Sequence, residues 1–301
     1  MRLFDGHCDT AFALWQKNET LTKNTCHIDL SRVAAFDGYA QVFAFCSNVG
    51  EGYAQSPQDL LTLPLEHFLR QPITIAKTPQ ELLSALSEKR AVALLSLEGP
   101  EGIDCEPGLL PQLRQTGFVM STLTWNADNA LAGCHFSEDV GLHAKGKDFV
   151  RLAQELGILI DVSHLSQRAF WDLCAVTQKP ILASHSNCRA LCDNSRNLSD
   201  DQLRAIAESG GTVGLNLYRP FLGGKADFPV LRAHLEHMLL LCGEKQVALG
   251  GDLDGCSALA AGFSDVRGYE DFYRYLQNCG YSEALLDGVF FTNLLRLLSA
   301  Q

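Results

Sequence analysis

The hydrophobic positions of this chain fall into a recurring unit, a short apolar run followed by a longer amphipathic stretch. The runs read as strands at 3–9, 40–48, 91–98, 118–125, 158–164, 181–185, 212–217 and 247–252. Continuous apolar segments of this length suit strands covered on both faces. The amphipathic stretches predict helices at 79–89, 147–156, 167–176, 200–208 and 229–242, and two more at 269–278 and 282–298 close the chain. Ser199 and Gln202 have the spacing of a capping box at the start of the fourth helix.

Eight strands alternating with helices predict either a doubly wound open sheet or a (β/α)8 barrel. No GxGxxG follows the first strand, which weakens a dinucleotide-binding open sheet. A length of 301 residues fits the barrel. The expectation is an α/β protein built as a (β/α)8 TIM barrel, a single domain over residues 1–301 with C-terminal helices.

Composition narrows the partners. Hydrophobic residues make up 47% and charged residues 20% of the chain, the proportions of a globular protein. A net charge of −11 argues against nucleic acid or an anionic membrane as the main partner. No apolar run approaches the ~20 residues of a membrane span. The start MRLFDGHCDT lacks the basic and apolar regions of an export signal, and the eleven cysteines include no CxxC pair. Reduced thiols and a cytoplasmic location are therefore expected.

The chemistry falls at the strand ends, which in a barrel form the active-site face. The first strand ends in His7-Cys8-Asp9, where alternation sends His7 and Asp9 to one side and Cys8 to the other. The third ends in Glu98, the fifth in His164, the sixth in His185 and the eighth in Asp252. Each of these is a weak signal alone. Gathered at one end of successive strands, they would be costly to bury without neutralisation. Imidazoles and carboxylates in this mixture suit Zn²⁺ or a similar ion. Six such groups exceed one tetrahedral site, so two ions are expected, with Glu98 shared between them. His27, His67, His135 and His143 lie off the strand ends, and His234 and His237 read as a solvated helix face.

These residues resemble the membrane (renal) dipeptidase family of metallopeptidases, peptidase family M19, within the amidohydrolase-like barrels. The matching stretches are DGHCDT at 5–10, SLEG at 96–99, GILIDVSH at 157–164, ILASHSNCRALCDNSRNL at 181–198, ALGGDLDG at 248–255 and NLLR at 293–296. The pattern looks most like the bacterial, cytoplasmic branch. The resemblance implies a barrel of the metal-dependent hydrolase type, with two Zn²⁺ per chain or other divalent transition metals in their place. His7 and Asp9 are similar to the terminal ligands of one zinc, Glu98 to the bridging carboxylate, and His164 and His185 to the ligands of the other zinc. Asp252 resembles the catalytic acid/base. Arg196 looks like the arginine that holds the substrate carboxylate, and Tyr218 matches a substrate-pocket position.

One position departs from the animal members. Their fourth strand is followed by a histidine in LTH, and here TLTWN puts Trp125 in its place with Asn126 beside it. Trp offers only an indole N–H, so Asn126 or a metal is expected to polarise the substrate carbonyl. The reaction expected is hydrolysis of a dipeptide amide bond by a metal-bridged hydroxide, with a D-residue accepted at the C-terminal position. The competing reading is another metal-dependent hydrolase of this barrel class, a lactonase, deaminase or phosphotriesterase. Such enzymes often bridge their metals with a carbamylated lysine, whereas the bridging position here is Glu98. The resemblance also implies a small-molecule substrate and admits a homodimer.

Overall fold

A computed structural model describes residues 1–47 and 53–301. In chain order the first half comprises β1 (Arg2–Cys8), α1 (Thr10–Lys17), α2 (Leu30–Val33), β2 (Gly38–Cys46), α3 (Pro57–Leu69), β3 (Thr74–Ile75), α4 (Pro79–Ser87), β4 (Val92–Glu98), α5 (Leu110–Thr116) and β5 (Phe118–Thr122). The second half comprises α6 (Ala144–Glu155), β6 (Leu159–Asp161), α7 (Gln167–Cys174), β7 (Leu182–Ala183), α8 (Asp200–Glu208), β8 (Thr212–Leu215), α9 (Arg219–Leu222), α10 (Phe228–Cys242), β9 (Val247–Leu249), α11 (Gly268–Asn278), α12 (Glu283–Asp287) and α13 (Asn293–Leu298).

Strands β1, β2, β4, β5, β6, β7, β8 and β9 pair in that order, all parallel, and β9 returns to β1 through Leu249 and Asp5. The sheet is a closed eight-stranded parallel barrel with helices between the strands, the (β/α)8 architecture expected from the apolar pattern. The ninth strand, β3, lies outside that circuit. Its two residues pair with Val92 and Ala93 at the start of β4, and they are too few to form an apolar run.

The strands are shorter than the runs that predict them. β6 ends at Asp161, β7 at Ala183 and β9 at Leu249. His164, His185 and Asp252 therefore sit in the turns beyond the ladder. His164 and Asp252 take left-handed backbone, with φ of 70° and 59°, a conformation that non-glycine residues hold only where the surroundings enforce it. Asn48, the last residue of the predicted second strand, lies outside the described residues.

The N-terminal end of the barrel is filled by one apolar cluster. Phe4, Val42, Leu94, Met120, Leu159, Leu182 and Ala248 pack there with Phe291, Leu294 and Leu297 from the end of the chain. Arg296 on α13 fixes this plug by donating to the carbonyls of Gly210, Gly211 and Lys245 and to Thr212 Oγ1, all just before or at the starts of β8 and β9. The predicted helix 282–298 is interrupted by a π-helical turn at Gly288–Thr292. There the Asn293 amide turns inward and donates to the carbonyls of Glu244 and Val247. α8 begins with the predicted capping box.

His234 corrects an expectation. It is fully buried rather than solvated. Its Nδ1 accepts from the Cys188 N–H at 3.2 Å, and its Nε2 lies 3.1 Å from the Leu222 carbonyl. It ties α10 to the loop after β7. Its neighbour His237 pairs with Asp200 at 2.8 Å. Among the described residues no helix is long and apolar enough to cross a membrane.

Candidate active site

The groups expected at the strand ends converge. The end of β1 is bound to the turn after β9: the Asp9 N–H donates to the Leu253 carbonyl (2.9 Å), and the Asp252 N–H donates to the His7 carbonyl (3.1 Å). His7 Nε2 lies 3.4 Å from Asp9 Oδ2 and 3.6 Å from Glu98 Oε1. That same Glu98 oxygen is 3.1 Å from His164 Nε2 and 3.6 Å from His185 Nε2. The His7 and His185 rings stack with centroids 3.7 Å apart. One carboxylate oxygen at the end of β4 thus faces three imidazole nitrogens. Cys8, between His7 and Asp9, is buried in the outer core, as strand alternation predicts.

Two overlapping triads hold their donor atoms within 4.8 Å of one another: His7, Glu98 and His185, and His7, Asp9 and Asp252. Asp252, expected as the acid/base, is thereby also grouped with His7 and Asp9. The residues fit a divalent cation on three counts. Among the described residues, both ring nitrogens of His7, which is 1% exposed, lack a hydrogen-bond partner, although a buried imidazole ordinarily has one. The donor set is imidazole and carboxylate, the ligands zinc-type ions prefer. Gly255 keeps the space between two carboxylates open, since a Cβ there would stand 2.0 Å from Asp9 Oδ2 and 2.4 Å from Asp252 Oδ1.

Outer partners fix the rings. His185 Nδ1 contacts Ser184 Oγ at 2.6 Å, and Ser184 Oγ donates to Asp161 Oδ2. Asp161 also accepts from the backbone N–H groups of Ser163 and Ser184, both at 2.9 Å. His164 Nδ1 lies 2.9 Å from Asn126 Oδ1. Donation from each Nδ1 leaves each Nε2 as the ligating atom, the arrangement usual in metal sites. Beneath His7, fully buried Asp5 accepts from the His7 N–H, Gln41 Nε2, the Gly251 N–H and the Tyr269 hydroxyl. It joins β1, β2, the turn after β9 and α11 at one carboxylate.

Electrostatics express the same demand for positive charge. Burial works against a charge on His7, yet Glu98, Asp9 and Asp252 together push its pKa up to about 10. Glu98 and Asp252 are raised by burial, the more so beside Asp9. Burial lowers both His164 and His185 well below the ordinary imidazole range. Arg196 is 5% exposed, and its guanidinium donates to the His185 carbonyl at 3.4 Å. Its carbon lies 5.4 Å from the Phe221 ring centre. No carboxylate lies within 4.0 Å of it among the described residues, and burial lowers its pKa to about 10. A buried cation with a single carbonyl partner is suited to receive an anion.

These groups open onto a cavity of about 700 Å³ lined also by Trp125, Asn126, His135, Phe136, Tyr218 and Phe221. The Trp125 ring centre is 6.4 Å from that of His164. Tyr218 approaches Ser257 Oγ at 3.5 Å through its hydroxyl. All ten residues singled out from the sequence border this cavity or the His7–Glu98 cluster beneath it. Several contributors escaped sequence reasoning, Asn216 and His135 among them. Asn216 holds Asp252 Oδ2 at 3.3 Å. His135, set aside as off the strand ends, stands in the cavity wall. Its place in the loop after β5 was the available signal, because every such loop in a barrel opens at the C-terminal face.

A closed parallel barrel with imidazoles and carboxylates clustered at its C-terminal mouth defines the class, the amidohydrolase-like metal-dependent hydrolases. The family model for membrane dipeptidase (peptidase family M19) matches residues 1–301. The chain belongs to that family and is a hydrolase of the metallo-dipeptidase type. It is 35% identical over 225 residues to an uncharacterized protein from the pqqA 5′ region of Klebsiella pneumoniae, a match covering 70% of this chain and 83% of that one. A crystal structure of a metallo peptidase from Rhodobacter sphaeroides, liganded with a phosphinate mimic of the dipeptide L-Ala-D-Ala, superposes with a TM-score of 0.89. It is 25% identical, and the match covers 100% of this chain and 99% of that one. The structure of the dipeptidase AC, a metallo peptidase of family M19, gives a TM-score of 0.90 at 26% identity, over 100% and 98% of the two chains.

Proposed function

We propose that this chain is a single barrel domain that hydrolyses dipeptides at a centre of two divalent cations, with zinc the expected metal. The observation that carries the reading is the single oxygen of Glu98 facing the Nε2 atoms of His7, His164 and His185. In this reading His7 and Asp9 hold one ion, His164 and His185 hold the other, and Glu98 serves both. When bound, such a pair supplies a water acidified toward neutrality and a Lewis acid for the substrate carbonyl.

The chain's own residues then do the rest. Arg196 binds the C-terminal carboxylate of the dipeptide, which positions the scissile amide over the cluster. Asp252, held by Asn216, takes the proton of the attacking water and passes it to the leaving amine. Asn126 and Trp125 offer N–H donors on the carbonyl side. Trp125, Tyr218 and Phe221 line the space for the substrate side chains. The L-Ala-D-Ala mimic bound by the Rhodobacter sphaeroides structure supports a D-residue at the C-terminal position.

A hydrolysis panel of L-Ala-L-Ala, L-Ala-D-Ala, lactones and phosphotriesters tests the substrate class. Dipeptides should be cleaved, and the other two classes should be poor substrates. Asp252→Asn should keep the metal content and lose about 10²–10⁴-fold in kcat. Full activity in this variant removes Asp252 from the proton path.

A further inference from the structure

His135 is 6% exposed and uses both ring nitrogens. Its Nε2 lies 3.0 Å from Asn126 Oδ1, and its Nδ1 lies 2.7 Å from Ser195 Oγ. Asn126 Oδ1 is also 2.9 Å from His164 Nδ1. The backbone closes the same circuit, because the His135 N–H donates to the His164 carbonyl at 2.8 Å and Cys134 bridges Leu165. Ser195 immediately precedes Arg196, and its own carbonyl accepts from Arg189 at 3.1 Å. Four side chains from three loops are therefore joined in series between the imidazole–carboxylate cluster and the arginine: His164, Asn126, His135 and Ser195.

Proton placement follows from the Asn126 oxygen facing both rings. An amide oxygen only accepts, and it has two lone pairs. Both imidazoles must then donate to it, His164 through Nδ1–H and His135 through Nε2–H. A neutral His135 that donates at Nε2 accepts at Nδ1, so the Ser195 hydroxyl donates into it. His164 donates at Nδ1, so its Nε2 is bare toward Glu98. Turning the Asn126 amide over would place its N–H₂ against His164 Nδ1 and move the ring proton to Nε2, the atom that faces Glu98. His164 could then no longer ligate a cation.

We propose that His135 is a positioning residue. It holds the Asn126 side chain against His164 with the amide oxygen turned to both rings, the arrangement that keeps His164 Nε2 available as a ligand, and through Ser195 it couples that support to the loop carrying Arg196. The inference rests on the assignment of His164 as a ligand made above. It adds a residue outside the strand-end set to the support of the site.

Three variants test it: His135→Phe keeps the ring without its polar atoms, His135→Gln offers one donor and one acceptor, and Asn126→Ala removes the shared acceptor. The first readout is metal affinity, measured by competition with a chromophoric chelator on protein loaded with Zn²⁺ alone. Loss of an outer partner of a ligating histidine weakens binding by about 10–100-fold, and His135→Phe should lose this much from one of the bound ions. His135→Gln should recover most of it. Combining His135→Phe with Asn126→Ala should be no worse than Asn126→Ala alone, because both remove the same link. The second readout is kinetic: kcat should fall in His135→Phe, with a rise in KM confined to substrates bearing a C-terminal carboxylate. Wild-type metal affinity in a folded His135→Phe protein, or additive losses in the double variant, would overturn the proposal. If His135→Phe does not fold, Ser195→Ala replaces it, expected to raise KM for carboxylate substrates; an unchanged KM there would equally overturn it. Wild-type protein that binds no Zn²⁺ would instead refute the cation centre itself.

Discussion

At the N-terminal ends of the strands, Phe4, Leu94 and Leu159 are packed against Phe291, Leu294 and Leu297, and the Asn293 amide and the terminal nitrogens of Arg296 donate to backbone carbonyls there. At the C-terminal ends the same strands run into His7, whose ring nitrogens have no hydrogen-bond partner among the described residues, Glu98 buried among imidazoles, and a guanidinium with no carboxylate within 4.0 Å among the described residues. The backbone differs too, since His164, Asp252 and Asp254 all hold positive φ at the mouth. One end of the barrel is closed by apolar packing, and the other presents buried imidazoles, carboxylates and a guanidinium to a cavity. This is the division expected where stability and chemistry occupy opposite faces of one barrel.

The contrast can be broken from the bottom. Phe291→Ala removes a ring that is 1% exposed and packed on Phe4. It should cost about 3–5 kcal/mol in chemical denaturation, with kcat per folded molecule unchanged. A lowered kcat at full folding would show that the two ends are coupled. From the mouth, Arg196→Ala should raise KM for dipeptides roughly 10²-fold, in line with the loss of a buried charged contact. It should leave dipeptide amides, which lack the carboxylate, within about threefold, and unfolding stability should change little. Equal effects on both substrates would remove the clamp.

His234 gives the smallest effect and sharpens the boundary between the two regions. Its Nδ1 must stay unprotonated to accept from Cys188, and burial lowers its pKa. Because the folded pKa lies below the unfolded one, the unfolded chain takes up the proton first as pH falls. Stability present above pH ~6.5 is therefore lost progressively toward the lower folded pKa. His234→Gln, able to make both hydrogen bonds, should reduce the stability lost between pH 7 and 5.5, by at most about 1 kcal/mol. An unchanged pH dependence would contradict the buried neutral histidine.

The eight strands of the barrel were legible in the chain because buried parallel strands leave continuous apolar runs, and the strand-end residues were legible because charged groups rarely terminate such runs. What was not legible has local causes. β3 is two residues long. α1 begins directly after Asp9, with no punctuation between strand and helix. α3 contains Pro64, which breaks the pattern that marks a helix. The turns carrying His164 and Asp252 depend on left-handed backbone at non-glycine positions, which tertiary contacts impose and residue type does not announce. Neither His135 nor His234 announces its role in sequence, the one lying between predicted elements and the other on a predicted helix beside His237. The place of His135 in the loop after β5 puts it at the barrel mouth, whereas the burial of His234 depends on how α10 packs on the loop after β7.

The central claim is that the barrel mouth gathers His7, Asp9, Glu98, His164 and His185 around a pair of cations. Its most direct test is the metal content of the purified protein after equilibration with Zn²⁺ and removal of free ion, measured by mass spectrometry beside Glu98→Ala. The account predicts about two ions per chain in the wild type, with a large loss in the variant and no dipeptide hydrolysis by chelator-treated protein. Dipeptide hydrolysis that persists in metal-free protein, or an unchanged metal content in Glu98→Ala, would contradict it.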